Sequence, residues 1–409
     1  MSQSPAKPER LQFIDALRAY AILMMLQGHF VDMMLASEFR DRAQPVYAAW
    51  AFLRGMTAPI FFTITGIVFV FLLLRKGLPA AQNPRVSKGL RRGLQLIGIG
   101  YLLQLCFPAL LVGQWYPSYV EVDVLHCIGL ALISLIGLYV VAEKLRLPLP
   151  LLLGSVALIF FFLDPVLKTV DWSFLPRFFE HYFTKAHGSN FTPIPWVGYT
   201  LIGGVIGWHV GQDQGLYRTA WWPTFFLISG LLLHHYSSAL LVELYTHTGV
   251  TLFRQIAYNN YLFIRLGHVF IVIAIFMWLE AIFQKFPSLL LKVGSETLTV
   301  YGVHFVALYG TWFGLGISTF LKYSLSPWPT VIGAGLFVLA HVILIRHIEA
   351  VRGFLHQRLG QPLRRGYRLL RVALLRSRQG WLKRAIFAVE KSWAQLLNWL
   401  SLPWVRARR

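Results

Sequence analysis

Apolar runs of membrane-spanning length recur along the whole chain, separated by shorter polar stretches. A transmembrane helix needs about 20 predominantly apolar residues. Ten stretches meet or approach that length: 12–35, 52–74, 93–112, 124–142, 148–167, 194–210, 221–236, 261–283, 297–316 and 330–348. The run at 221–236 is short, and that at 194–210 is rich in glycine. The pattern predicts an all-α fold, a polytopic membrane helix bundle of about ten transmembrane spans. Lysine and arginine in the connecting stretches set its orientation. With the N-terminus inside, thirteen of them face inward: Lys7, Arg10, Arg75, Lys76, Arg85, Lys88, Arg91, Arg92, Lys144, Arg146, Arg218, Lys285 and Lys292. Seven face outward: Arg40, Arg42, Lys168, Arg177, Lys185, Arg254 and Lys322. The bundle is therefore expected to be N-in and C-in, which an even number of spans requires.

From Arg352 the pattern changes. Leucines and tryptophans alternate with arginines, as in amphipathic helices that lie on a membrane surface. Residues 352–409 hold fourteen Lys and Arg against one acid, Glu390, and so carry most of the net charge of +21. A basic segment after a last span reads as an anchor to anionic lipid on the inner surface, not as a nucleic-acid site. Two domains follow: a membrane domain at 1–350 and a basic amphipathic tail at 351–409. Composition agrees, with 56% hydrophobic and 13% charged residues, against about 25% charged in soluble domains. The two cysteines, Cys106 and Cys127, fall in apolar runs and exclude a cysteine metal site. The N-terminus lacks the short apolar core and small-residue cleavage site of a signal peptide, so the first span is expected to be retained.

The first span holds charges where charges are costly. Asp15 and Arg18 are three apart, share a face and can pair. Arg18 and His29 are eleven apart. Eleven helical steps come to about 1100°, three turns plus about 20°, and roughly 16 Å along the axis. The two side chains thus share one stripe. Ionisable residues within a span usually face the bundle interior or a wet cavity, which reads here as a polar path. The plain alternative has Arg18 snorkelling to headgroups with Asp15 as its partner, and His29 at the interface.

Other spans add polar groups, each with a bland reading beside the functional one. The second carries Pro59, Thr63, Thr65 and Gly66, a site for a freed carbonyl or simply a packing kink. Between the second and third spans lie Arg75, Lys76, Arg85, Lys88, Arg91 and Arg92, which would attract a phosphate-rich ligand or only obey the positive-inside bias. At the start of the fourth, Asp123 and His126 are three apart, so the carboxylate could orient the imidazole. The sixth opens on Pro193, Pro195 and Trp196, an interfacial anchor pattern. It continues with Gly203, Gly207 and Gly211, a small-residue face for close helix contact. The outer loop from Asp164 to Pro193 mixes Asp171, Trp172, Arg177, Glu180, His181, Tyr182 and His187, suited to a sugar or to ordinary solvent. Arg265 and His268 share a face near the outer end of the eighth span and could hold an anionic group. In the ninth, His304 lies about 12 Å beyond Glu296 at 1.5 Å per residue, beside Tyr301.

The spacing of Arg18 and His29 resembles the signature of the acyltransferase-3 type of membrane acyltransferases. The wider pattern is more similar to a relative, the catalytic domain of heparan-alpha-glucosaminide N-acetyltransferase and its bacterial homologues. That resemblance runs on through Ala58-Pro-Ile-Phe-Phe-Thr-Ile-Thr-Gly66, Val124-Leu-His-Cys-Ile-Gly129, Pro193-Ile-Pro-Trp-Val-Gly-Tyr199 and Leu298-Thr-Val-Tyr-Gly-Val-His304. It covers about residues 10 to 350.

The resemblance implies a multi-pass enzyme of the bacterial inner membrane. It would move an acyl group, most simply acetyl, from cytosolic acetyl-CoA or another acyl-CoA to a hydroxyl or amine of a glycan or glycolipid on the outer side. His29 is then the catalytic histidine, as general base or as acyl carrier. Arg18 orients the donor, with Asp15 holding its guanidinium, and Arg91 and Arg92 join it in a donor site. His126, Asp123, His304, Arg265 and Trp196 are the candidates on the substrate side. Relatives often place an asparagine or another polar residue beside the histidine, whereas Gly28 and Phe30 flank it here, which leaves amine against hydroxyl open. No metal ligands or permanently bound cofactor are expected. The sequence shows no phosphate-binding loop with its lysine, HExxH or GxSxG. A transporter or flippase of a lipid-linked glycan or small organic anion is the alternative, since intramembrane charges and broken helices suit that too. Homo-oligomerisation is left open.

Overall fold

The computed structural model describes residues 11–213 and 215–360. Lys7, Arg10 and residues 361–409, most of the expected amphipathic tail, lie outside the described residues. The described residues are helical, without a strand; two isolated bridges join Leu35 to Leu325 and Cys106 to Trp312. Both cysteines are free. The chain forms two compact units, Met1–His341 and Val342–Arg409.

In chain order the helices are α1 (Gln12–Met34), α2 (Pro45–Arg54), α3 (Thr57–Leu74), α4 (Pro84–Gln104), α5 (Phe107–Leu111) and α6 (Val124–Leu145). There follow α7 (Leu149–Thr169), α8 (Arg177–Glu180), α9 (Pro193–Gln212), α10 (Trp221–Thr248), α11 (Thr251–Tyr258) and α12 (Tyr261–Phe283). The last are α13 (Ser288–Ser295), α14 (Thr297–His304), α15 (Ile317–Leu321), α16 (Pro327–Arg346) and α17 (Ile348–Leu355). A helix stands at every position where the sequence predicts a span. Among the described residues, six helical stretches are long and apolar enough to cross a membrane: Pro45–Leu74, Pro117–Leu145, Leu149–Thr169, Trp221–Thr248, Tyr261–Phe283 and Pro327–Arg346. At the other four positions stand α1, α4, α9 and α14.

Three expected boundaries move. The seventh span, expected to be short, is the 28-residue α10. The third, expected at 93–112, begins at Pro84, because Asn83 caps it by accepting the Arg85 N–H at 3.0 Å. Pro84, at the first helical position, has no N–H to satisfy. Arg85, Lys88, Arg91 and Arg92 are therefore on the first turns of a helix and not in a loop. The ninth, expected to reach 316, passes at Phe305 into a π-helical turn that ends at Tyr309. Gly310 stops it there with φ 73°.

Lipid gives apolar helices no solvent-driven reason to associate, so close packing at small residues has to supply it. The α3–α9 crossing does so. A Cβ on Gly66 would collide with the Thr200 carbonyl, and one on Gly203 or Gly207 with the carbonyls of Thr63 or Ile67. Gly211, expected on the same face, has only ordinary contact with Phe71, so the close approach ends before it. The main core joins α1, α3 and α12 through Phe13, Leu17, Ile60, Ile64, Ile67, Val269 and Ile273. Glu280 of α12 is buried and accepts the Phe13 N–H at 2.6 Å. It thereby supplies an acceptor to the first turn of α1, where backbone N–H groups have no partner within the helix. In the second unit α17 carries an Arg352–Glu349 ion pair of 3.1 Å.

Candidate active site

A cavity of about 410 Å³ opens inside the first unit. Its α1 wall is Arg18, Ile22, Met25 and His29, spaced four, three and four residues, the repeat of a single helix face. Arg18 lies 3.8 Å from Asp15. Arg92 of α4 lines the same cavity. Between these cations and His29 the wall is largely apolar, with Phe61, Val68 and Leu72 of α3 and Leu125, Ile128 and Leu132 of α6. Asp123 and Tyr301 also line it. They are tied together, the Tyr301 hydroxyl donating to Asp123 Oδ2 at 3.0 Å. Asp123 Oδ1 accepts the Val124 N–H at 2.7 Å and so caps α6.

His29 is held from one side only. Its Nδ1 lies 3.1 Å from His304 Nε2 and 3.1 Å from the Tyr309 hydroxyl. Both contacts fall on the same nitrogen. Around this end of α1, Arg54 of α2 pairs with Asp32. The Trp50 indole N–H donates to Gln27 Oε1 at 2.7 Å, and the Arg54 guanidinium lies 5.7 Å from the Trp50 ring. Gly28 makes room for this: a Cβ there would stand 3.1 Å from Arg54 Cγ. The missing polar neighbour of His29 is thus a space filled by the Arg54 stem.

The fold gathers some of the predicted residues and leaves others apart. Arg18, Arg92, His29 and Asp123 share the cavity; Asp15 stands behind Arg18 and His304 behind His29. His126 does not line it. Its Nδ1 accepts the Asp123 backbone N–H at 3.0 Å, and its ring meets the Tyr101 ring edge-on at 4.2 Å. The backbone of Asp123, not its carboxylate, orients this imidazole, because the carboxylate is engaged by Val124 and Tyr301. Arg265 donates to the Phe52 carbonyl at 2.9 Å and lies over the Phe52 ring. Its neighbour His268 faces His234, Nε2 to Nδ1, at 3.0 Å. Trp196 stacks on Phe62 and meets Phe191; of these, Phe191 lines the cavity. Arg91 is outside the lining although Arg92 is in it.

Arg54 and Tyr309 were not legible as site residues. Arg54 falls inside the predicted second span, and Tyr309 reaches His29 only because of the π-helical turn.

In the loop from Asp164 to Pro193, His187 Nε2 pairs with Glu180 Oε1 at 2.8 Å, and His181 Nδ1 meets Ser189 Oγ at 3.0 Å. Burial and the neighbouring His187 hold the His181 imidazole below its ordinary value.

A polytopic helical membrane protein with cations at one end of an apolar cavity and a hydrogen-bonded histidine on the same helix face is the class that this fold and site define. The chain belongs to the heparan-alpha-glucosaminide N-acetyltransferase catalytic-domain family, whose model matches residues 10–242. That membership makes it an acetyltransferase of the multi-pass membrane class. The match takes in α1 and three of the four further resembling stretches and ends before Leu298–His304. No curated protein matches the chain.

Proposed function

We propose that the protein moves an acetyl group from cytosolic acetyl-CoA to a hydroxyl or amine of a glycan or glycolipid on the opposite side of a bacterial inner membrane. The single observation carrying this reading is the cavity whose one helical wall has Arg18 at one end and His29 at the other. An extended pantetheine arm is uncharged and of comparable reach. Its phosphates would meet Arg18 and Arg92, and its thioester would lie at His29. The other basic side chains on the first turns of α4 would add a general attraction for phosphate. Arg91 would serve at its rim.

In the transfer, the acceptor nitrogen or oxygen bonds to the thioester carbon while His29 Nε2 takes its proton. The C–S bond then breaks, and the proton passes from His29 to the departing CoA sulfur. A positioned base of this kind contributes about 10²- to 10⁴-fold. Asp15 would steady Arg18. Asp123, with Tyr301, would face the acceptor; His126 and Trp196 would shape the wall behind it, and Arg265 would lie on the acceptor approach. Ten spans with both termini inside would give this cavity its two faces. On this reading residues 1–350 are the catalytic domain, and the tail at 351–409 rests on anionic lipid.

The test uses purified protein in lipid nanodiscs with acetyl-labelled acetyl-CoA. Wild type should bind the donor saturably and release label slowly to water. Arg18→Ala should weaken binding, and His29→Ala should bind but release nothing. A well-folded wild type without saturable binding would sink the acetyl-CoA assignment and move the transporter reading to the front.

A further inference from the structure

The loop between α7 and α9 leaves a group of aromatic side chains uncovered. Phe174 is 71% exposed, and Phe178, Phe179 and Phe183 are 42%, 55% and 42% exposed. The segment that follows is tied to the body of the protein. The Tyr182 hydroxyl lies 2.6 Å from that of Tyr101 on α4. Ser189 Oγ accepts the Val122 N–H at 3.0 Å, and the Phe191 N–H donates to the Val122 carbonyl at 3.4 Å. An exposed apolar patch on such a frame marks a contact with a partner or a membrane. In a multi-pass membrane protein, aromatic and basic side chains together at the helix ends sit at the headgroup level of the bilayer. The basic side chain here is Lys185. Its ammonium stands 5.9 Å from the centre of the Phe191 ring and 6.0 Å from that of Trp196. The acids of the region are engaged elsewhere: Asp164 with Lys168 at 2.6 Å, Asp171 with Ser173 at 3.0 Å and Glu180 with His187 at 2.8 Å. Among the described residues no carboxylate forms an ion pair with Lys185. Phe191 also lines the cavity, together with Asp123 and His29. One ring thus joins an exposed cation on the loop to the cavity.

We propose that the acceptor is a lipid-linked sugar phosphate, with Lys185 holding its phosphate at headgroup level and its sugar reaching past Phe191 toward Asp123 and His29. This rests on reading the cavity as the site of acetyl transfer, and it narrows the acceptor to one class. An ammonium supplies a phosphate with a charge-assisted hydrogen bond, and the exposed phenylalanines supply its lipid with an apolar surface. A soluble glycan would use the first and leave the second in water. Trp196 meets Phe191 at 4.9 Å between ring centres and so steadies the ring that the sugar passes.

The test offers three acceptors to the protein in lipid nanodiscs with acetyl-CoA: farnesyl-phosphoryl-glucosamine, glucosamine 1-phosphate and methyl glucosaminide. Glucosamine carries an amine and hydroxyls, so product mass registers transfer to either. In wild type the kcat/KM for the lipid-linked sugar should exceed that for each soluble sugar by about tenfold or more. Lys185→Gln should remove about tenfold of that preference, through the acceptor KM and not the KM for acetyl-CoA. Lys185→Arg should restore it. Phe179→Ser combined with Phe183→Ser should narrow it as well. Equal use of the lipid-linked sugar and methyl glucosaminide would overturn the proposal, and so would a full preference in Lys185→Gln. Glucosamine 1-phosphate used as well as the lipid-linked sugar would assign Lys185 to a soluble phosphate and overturn the lipid part. Binding of the lipid-linked sugar without donor, followed by ³¹P NMR, keeps the two readings apart. Binding that depends on Lys185, in a protein that does not bind acetyl-CoA, would support this site and defeat the proposed donor. No binding of the lipid-linked sugar by a wild type that binds acetyl-CoA would defeat this site alone.

Discussion

At the scale of single residues, the site distinguishes neighbours that composition cannot. Arg91 and Arg92 are adjacent and chemically identical, yet Arg92 alone of the two lines the cavity with Arg18. Removing one charge-assisted phosphate contact costs about 1.5–3 kcal/mol, roughly tenfold or more in affinity. Arg92→Ala is therefore expected to raise the Kd for acetyl-CoA at least tenfold, and Arg91→Ala clearly less, by equilibrium binding in nanodiscs. Equal effects would mean that the donor is attracted by the general charge of α4 and not seated in this cavity. The alignment of Arg18 with His29 was readable because helical geometry is local and regular. The ion pair of Arg54 with Asp32 was not, since the partners belong to different helices and nothing in either segment announces the other.

At the scale of elements, α3 and α9 are locked by glycines, whereas α2 is held through partly buried contacts such as Phe52 against Arg265 and His268. Gly203 meets the Thr63 backbone, which cannot yield as a side-chain tip does. Gly203→Val is expected to push the helices apart, at a cost of at least about 1–3 kcal/mol for overpacking. A lower midpoint of thermal inactivation in lipid would show it, while Gly211→Val should be near neutral. No residue of α2 is buried, and its polar ties to α1 run through Trp50 and Arg54. The loop between α7 and α9 supplies a pH dependence. His181 is buried with a lowered pKa. An opened loop would take up a proton near the ordinary histidine value of about 6.5, and the closed loop would not. The closed form therefore has its full stability above about pH 6.5 and loses it as pH falls further. Amide exchange across 180–189, corrected for intrinsic rates, should quicken between pH 7 and 5.5 in wild type. The slope should flatten in His181→Asn.

At the scale of the whole molecule, the arrangement stands or falls on its topology. Single cysteines introduced in a background lacking Cys106 and Cys127 give the test, using a membrane-impermeant maleimide on right-side-out vesicles. Lys185→Cys and Lys322→Cys should label from outside. Lys76→Cys, Lys144→Cys and Lys285→Cys should label only after permeabilisation. Labelling of Lys76→Cys from outside would reverse the donor and acceptor faces, and with them the roles proposed for the two ends of the cavity.

The sequence by itself determined the helices, their order and the stripe on α1, because apolar length and a 3.6-residue period are properties of one segment at a time. It also carried the family resemblance in α1 and the stretches around Gly66, Gly129 and Tyr199. What only the tertiary structure decided is which polar groups meet. His126 and His304 read alike in the sequence, each a histidine three residues from a polar partner. One caps its own helix through the backbone of Asp123, and the other reaches across to His29. The difference lies in how α6 and α14 pack around α1, and in a π-helical turn that brings Tyr309 to the same nitrogen. Such choices follow from the direction of a side chain across an interface, which no single segment encodes.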